Sequence, residues 1–272
     1  MPQPYFSGFD PLPSDIETRL MPEAKPQSLT PNPSADAVVI CLHGFTGTPY
    51  EVGPAVRAIA DKGLSVVVPL LPGHGYRDRA EQKQKFARIT PDGMLAAVRQ
   101  EIARARERYR HVGMFGFSMG GAIALTMAAE GLLDVCAVAA PALRLPRKAE
   151  ILIPLLSWAS FTLAAPITEE FYLPAYEFYH SRALRTLWQL SRHAQQQLPQ
   201  IHCPMLAVHS HNDLTVPPVV LQMMQARMAV QIETAWFDNS GHSMLLDASG
   251  PVVSTTIAEF FSRQFIGEAV SR

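Results

Sequence analysis

In the stretch Gly116-Phe117-Ser118-Met119-Gly120, a serine lies within a Gly-x-Ser-x-Gly box, the part of this 272-residue chain best suited to covalent chemistry. A serine hydroxyl attacks a carbonyl only with help. A base must take its proton, an acid must orient that base, and N–H donors must hold the oxyanion that forms. The flanking residues meet the first geometric need. Val112-Gly113-Met114-Phe115 reads as a buried strand, and Gly121-Ala122-Ile123-Ala124-Leu125 opens an Ala-rich helix. Strand, sharp turn and helix together lift a strained serine out of a sheet edge. The flanking glycines leave room for so tight a turn.

The expected base is His242, in Asn239-Ser240-Gly241-His242-Ser243, on a loop after the last strand. Ser118 and His242 then share the carboxyl edge of the sheet, where open parallel sheets bind ligands. His209 and His211 end another strand and also reach that edge. However, they surround the preferred acid, so either would need a different one. The expected acid is Asp213, in Ser210-His211-Asn212-Asp213. Asp238 also follows a strand, close to His242, and is the alternative. Asp134 precedes its strand and falls at the opposite edge. The order Ser118, Asp213, His242 is the nucleophile–acid–base order that goes with such a turn. The expected oxyanion donors are the N–H of Met119 and the N–H of Phe45, in the loop His43-Gly44-Phe45-Thr46-Gly47. His111, His180, His193 and His202 read as surface or structural residues.

These groups need a sheet to carry them. Short apolar runs at 37–42, 64–69, 111–115, 135–139, 205–209 and 233–237 read as strands. Helical patterns lie at 54–62, 91–109, 120–130, 217–228 and 252–264. Such alternation implies an α/β fold, a mostly parallel central sheet flanked by helices, with its core at 37–141 and 201–272. Residues 142–200 break the rhythm and show no evident strand. They hold the apolar run Ile151-Leu152-Ile153-Pro154-Leu155-Leu156-Ser157-Trp158 and the aromatics Phe171, Tyr172, Tyr176, Phe178 and Tyr179. Long insertions in compact domains are usually functional. The segment is therefore expected to be an inserted helical cap, with Leu155, Trp158 and Phe171 as candidate substrate-binding residues. A longer crossover of ordinary core helices is the alternative. Residues 1–36 carry eight prolines and read as an irregular arm, with one short edge strand near 16–21.

Composition narrows the function classes. Hydrophobic residues make up 48% of the chain, and the formal net charge is −1. The first suits a filled globular interior. The second gives no steering toward nucleic acid or an anionic membrane. The apolar stretch 151–165 is too short for a transmembrane segment, and Pro154 interrupts it. The first ten residues lack the basic and then apolar profile of a signal peptide. Cys41 and Cys136 fall in expected strands and Cys203 just before another. Reduced core thiols are expected, and with them a cytoplasmic protein. No Cys or His group has zinc spacing, and the chemistry calls for no metal and no organic cofactor.

Several motifs carry a family resemblance: His43-Gly44-Phe45-Thr46-Gly47-Thr48-Pro49, Pro72-Gly73-His74-Gly75, the serine box with Gly121, Asn212-Asp213 with Val216-Pro217-Pro218, and Ser240-Gly241-His242. Together they resemble the α/β-hydrolase fold over residues 37–265, and more narrowly its bacterial carboxylesterase and monoacylglycerol lipase branch. The resemblance implies a triad of Ser118, Asp213 and His242, with Phe45 and Met119 as oxyanion donors. It also implies a small-molecule ester substrate whose acyl chain is buried under the cap. The proline-rich arm is longer than the branch leads one to expect. The same triad serves thioesters and the C–C bond of diketones, because fold and site do not fix the substrate. A non-catalytic ligand receptor on this scaffold is the alternative outside enzymes.

Overall fold

Seven strands form one twisted sheet whose order reverses at its centre, and that reversal fixes where the site lies. The computed structural model describes residues 4–165 and 171–267; residues 1–3, 166–170 and 268–272 lie outside the described residues. The arm holds α1 (Ser14–Glu17) and β1 (Gln27–Leu29). Then follow β2 (Ala37–Leu42), α2 (Gly53–Asp61), β3 (Ser65–Val68), α3 (Arg79–Phe86), α4 (Pro91–Arg106), β4 (His111–Phe117), α5 (Met119–Ala129) and β5 (Val135–Ala139). The segment 142–200 holds α6 (Arg147–Leu156), β6 (Thr162–Ala164), β7 (Phe178–His180) and α7 (Ser181–Gln197). The chain closes with β8 (Met205–His209), α8 (Val219–Arg227), β9 (Glu233–Trp236) and α9 (Gly250–Phe265).

The sheet runs β1-β3-β2-β4-β5-β8-β9, parallel throughout except for antiparallel β1. From β2 the chain goes to β3 on one side and returns to β4 on the other. The carboxyl ends of β2 and β4 therefore flank a topological switch point, where such sheets open a crevice. Alternate residues of β2 feed two cores. Val38, Ile40 and Leu42 pack with α4, α5, α7 and α8 on one face. Val39 and Cys41 pack with α2 and α9 on the other. Burial on both faces explains why these strands read as continuous apolar runs.

Two expectations are corrected here, and one helix was not anticipated. The arm's edge strand is Gln27–Leu29, not residues 16–21. Residues 14–17 form a helical turn with Asp15 and Glu17 at its start, where acids favour the helix dipole. Leu20 makes only an isolated bridge to Tyr76. Residues 142–200 do contain strands, because β6 pairs antiparallel with β7. Three residues each are too few to show an alternating pattern. Helix α3 carries almost no apolar signal, since only Phe86 is buried. It is started instead by Asp78, whose carboxylate accepts the Glu81 N–H at 2.8 Å.

The inserted segment is not uniform. Helix α7 lays Ala183, Leu187, Leu190 and Ala194 into the core beside α5. Ser191 Oγ also donates to the Ala142 carbonyl. Helix α6 does the opposite, with Ile151, Leu152, Leu155 and Leu156 all exposed.

Candidate active site

Strand β4 ends by delivering Ser118 into a conformation few residues adopt, φ 52° and ψ −113°. A non-glycine residue there costs of order 1–3 kcal/mol. Three backbone bonds hold it. Ser118 N–H donates to Ala139 O at 3.0 Å, and its carbonyl accepts from Ala142 at 2.9 Å and Ala122 at 3.2 Å. The neighbouring glycines are steric necessities. A Cβ on Gly116 would lie 2.3 Å from Gly120 O, and one on Gly120 2.4 Å from Leu42 O. Ser118 is the N-cap of α5, where a serine hydroxyl normally accepts a helix N–H. It makes no such bond. Its Oγ instead lies 3.0 Å from His242 Nε2.

His242 Nδ1 lies 2.8 Å from Asp213 Oδ2. The other carboxylate oxygen of Asp213 accepts the N–H groups of Thr215 and Val216, each at 2.8 Å. Burial alone would raise the Asp213 carboxyl. The charge and hydrogen bond of His242 and the Val216 N–H outweigh it and hold the group below the usual carboxylate range. The loops carrying acid and base are tied together as well. Ser210 Oγ donates to the Ser240 carbonyl at 2.6 Å. Asp247 accepts from Ser240 Oγ at 3.0 Å and from Gly241 N–H at 3.3 Å. Asp247 was not anticipated from the sequence, since an acid that serves only loop backbone leaves no motif.

The competing residues fall elsewhere. Asp238 pairs with His211 at 2.6 Å, both side chains being more than half exposed. The His211 ring stacks on Trp236 at 3.8 Å. His209 is fully buried, and burial pushes its pKa down to about 4. Among the described residues its Nε2 has no hydrogen-bond partner. It is therefore neutral near pH 7; its Nδ1 accepts the Ser210 N–H at 2.8 Å and lies 3.9 Å from Asp213 Oδ2, so it sits behind the acid rather than against Ser118. His180 caps α7 by accepting the Arg182 N–H.

The turn after β2 sits opposite the elbow. His43 Nε2 accepts the Leu71 N–H at 3.2 Å, which assigns the proton to Nδ1, 3.0 Å from Gly44 O. That carbonyl belongs to the peptide whose N–H is Phe45's. His74 Nε2 lies 2.5 Å from Phe45 O, and Tyr176 N–H donates to Thr46 O at 3.0 Å. Burial, then the neighbouring His74, drives His43 well below the usual histidine range. It is a neutral hydrogen-bonding strut. Neither buried histidine was singled out as a site residue in the sequence, although both lie in the quoted motifs. Among the described residues, the N–H groups of Phe45 and Met119 have no acceptor. Met119 also opens α5, so the positive end of a helix dipole faces the same space.

Of the three candidate cap residues, Leu155 is 67% and Trp158 75% exposed, with the Arg185 guanidinium 4.0 Å from the Trp158 ring. Phe171 is half-buried. Cys41 and Cys136 are buried free thiols and Cys203 is partly covered. Burial raises all three. Among the described residues no cluster could hold a metal, and no helix is long and apolar enough to cross a membrane.

A hydroxyl in line with an imidazole and a buried carboxylate can make and break an acyl ester on serine. A switch-point crevice and a nucleophile elbow together define a hydrolase architecture. Comparison with known proteins agrees. Residues 39–255 match the model of the alpha/beta hydrolase family, and the chain belongs to that family. It is 30% identical over 243 residues to a thermostable monoacylglycerol lipase of Bacillus sp. (strain H-257), covering 83% of this chain and 90% of the relative. It is 22% identical over 249 residues to a carboxylesterase of Bacillus subtilis (strain 168), covering 86% and 98%. Among solved structures, one from work on LipS and LipT, two metagenome-derived lipolytic enzymes, superposes with a TM-score of 0.81 at 24% identity, covering 90% of this chain and 100% of that one. The monoacylglycerol lipase of Paleococcus ferrophilus gives 0.72 at 14% identity, covering 88% and 98%. At these identities the two structures speak to fold alone.

Proposed function

We propose that this hydrolase cleaves carboxylic esters through an acyl-serine intermediate, with Ser118 as nucleophile, His242 as base and Asp213 as its orienting acid. The carrying observation is the unbroken chain Ser118 Oγ–His242–Asp213 at 3.0 and 2.8 Å. Ser118 Oγ bonds to the ester carbonyl carbon as its proton passes to His242 Nε2. The N–H groups of Phe45 and Met119 hold the oxyanion. Collapse expels the leaving alkoxide, which takes the proton from His242. Water then attacks the acyl-serine and gives a proton to His242. As the acid is released, that proton returns to Ser118 Oγ. Asp213 stays ionised and fixes the imidazole tautomer. Because its pKa is depressed, this pairing holds above the ordinary carboxylate range and is lost only as pH falls through the lower folded value.

The substrate class follows from the surroundings. A groove of about 420 Å³ lies between the loop after β5 and the loop after β8, lined by Arg144, Leu145, Arg147, Glu150, Ile151, Pro217 and Val219. Its size falls in the range of roughly 300–1,000 Å³ typical of small-molecule sites. Ser118, Asp213 and His242 do not line it, so it enters the proposal as an opening next to the loops that carry them rather than as the acyl site itself. The segment 142–200 is read as a cap over this edge, and among its described residues the Tyr176 N–H bond to Thr46 O, on the oxyanion turn, supports that reading. Leu155, Trp158 and Phe171 offer an apolar surface to one acyl chain, each methylene buried contributing about 0.8 kcal/mol. The activity expected is therefore on short- to medium-chain esters and monoacylglycerols. The relatives named above support this class. A side-by-side assay of monoolein and triolein is the test. Monoolein should turn over faster, and faster triolein turnover would discard the one-chain reading. A p-nitrophenyl ester and acyl-CoA panel separates esterase from thioesterase use of the same triad.

A further inference from the structure

The reaction as written gives no role to Glu51, a buried acid beside the oxyanion turn. Glu51 lies on the short 3-10 turn Pro49–Val52 and is only 7% exposed. Its Oε2 accepts the Gly44 N–H at 2.8 Å. The carboxylate fills the inside of the turn that follows β2. A Cβ on Gly47 would lie 2.0 Å from that carboxylate, and one on Gly44 3.1 Å from Oε2. The carboxylate therefore occupies the space that a side chain at Gly47 would take and lies close to where one at Gly44 would begin. On its other side Glu51 adjoins Phe117, Ser243 and Leu245, with no room between them for a water. Phe117 precedes the nucleophile, and Ser243 follows the base.

We propose that Glu51 is a positioning residue for the oxyanion hole: its carboxylate anchors the Gly44 amide and so sets the aim of the Phe45 N–H. Two consecutive peptides lie between Glu51 and that donor group. The His43–Gly44 peptide is pinned through its N–H by Glu51. The Gly44–Phe45 peptide is pinned through its carbonyl by His43 Nδ1 at 3.0 Å. With both planes fixed, the Phe45 N–H has one direction left. A charge-assisted bond to an amide is about twice as strong as a neutral one and shorter, which suits an anchor. The negative charge itself does not help, because it repels the oxyanion through Coulomb's law. The useful property is the acceptor, and that separates the variants. The inference rests on Phe45 being an oxyanion donor.

The experiment compares Glu51→Ala, Glu51→Asp and Glu51→Gln by kcat and KM on p-nitrophenyl butyrate, and by the Gly44 amide signal of glycine-labelled protein. Loss of an oxyanion donor outright costs roughly 10²–10³-fold in kcat. Loss of its aim should cost about 10–100-fold in Ala and in Asp, whose shorter arm withdraws the acceptor, with KM changed by less than about threefold. Gln keeps an acceptor at the same reach and should stay within about threefold of the parent on the same reasoning. The Gly44 amide should be protected from exchange in the parent and in Gln, and unprotected in Ala and Asp. A purely structural role would lower the melting temperature without splitting kcat from KM. Parent-like kcat in folded Ala, or Gln as impaired as Ala, overturns the proposal. If Ala fails to fold, the Asp variant and the parent amide still decide, because a parent Gly44 amide open to exchange overturns it alone. Failure of the ester-hydrolase reading would show separately, as activity surviving Ser118→Ala with the amide pattern intact.

Discussion

Ser118→Ala is expected to abolish ester hydrolysis while leaving the fold in place. The loss should be on the order of 10⁴-fold or more, as when a triad nucleophile is removed. Alanine fits the cavity, but it cannot form an acyl-enzyme. It must also take the serine's φ of 52°, held there by bonds from Ala142 and Ala122 to its carbonyl and from its own N–H to Ala139. Those bonds involve only backbone, so they survive the substitution. The matching measurement is labelling with a fluorophosphonate, which should mark the parent at Ser118 and leave the variant unmarked. Retention of more than about a tenth of the parent rate, against the loss expected for a nucleophile, would move the nucleophile elsewhere.

The second large effect discriminates between two aspartates. Asp213→Asn should cost about 10⁴-fold in kcat, because an amide turned to donate toward Nδ1 stabilises the wrong imidazole tautomer. Asp238→Asn should change kcat by less than about threefold, as is usual for an exposed surface substitution. The contrast follows from placement. Asp213 is 3% exposed and bonded to His242, Thr215 and Val216. Asp238 faces solvent with His211. The ionised form of Asp213 is the one its partners favour, so the Asp213–His242 pairing should persist down to the carboxylate range and be lost only as the folded pKa of Asp213 is crossed. Steady-state kinetics on the two variants settles the ranking, and the reverse order would place the acid on the last strand.

What could be read in the sequence was whatever left a periodic or punctuated trace. Strands β2, β5 and β8 begin and end where the predicted strands do, because burial on both faces leaves them apolar except for His209 at the end of β8. The elbow was legible because its turn demands glycines at fixed offsets from Ser118. The acid and base were legible through their place after strands, which topology turns into a shared edge. Other features left no such trace. Strand β1 is exposed along its length and three residues long, too little for alternation. Helix α3 rests on a cap and one phenylalanine rather than on a stripe. Glu51, His43 and Asp247 act on backbone groups, and a side chain that serves a backbone amide needs no partner residue type to reveal it. The burial of α7 against α5 was hidden by its arginines, which sit on the face away from the core.

Ser118, Asp213 and His242 ride on parts of the sheet with unequal support. The elbow strand β4 lies between β2 and β5, and the following helix α5 has ten of its eleven residues buried. Strand β9, which leads to the His242 loop, is paired on one side only, and none of its four residues is buried. Local opening starts where protection is thinnest. Fraying of that outer strand would carry the base away from a nucleophile still locked in the centre. The enzyme's working lifetime under mild heat or denaturant is thereby governed by its rim rather than by its core, and catalytic competence is a more fragile property of this molecule than foldedness.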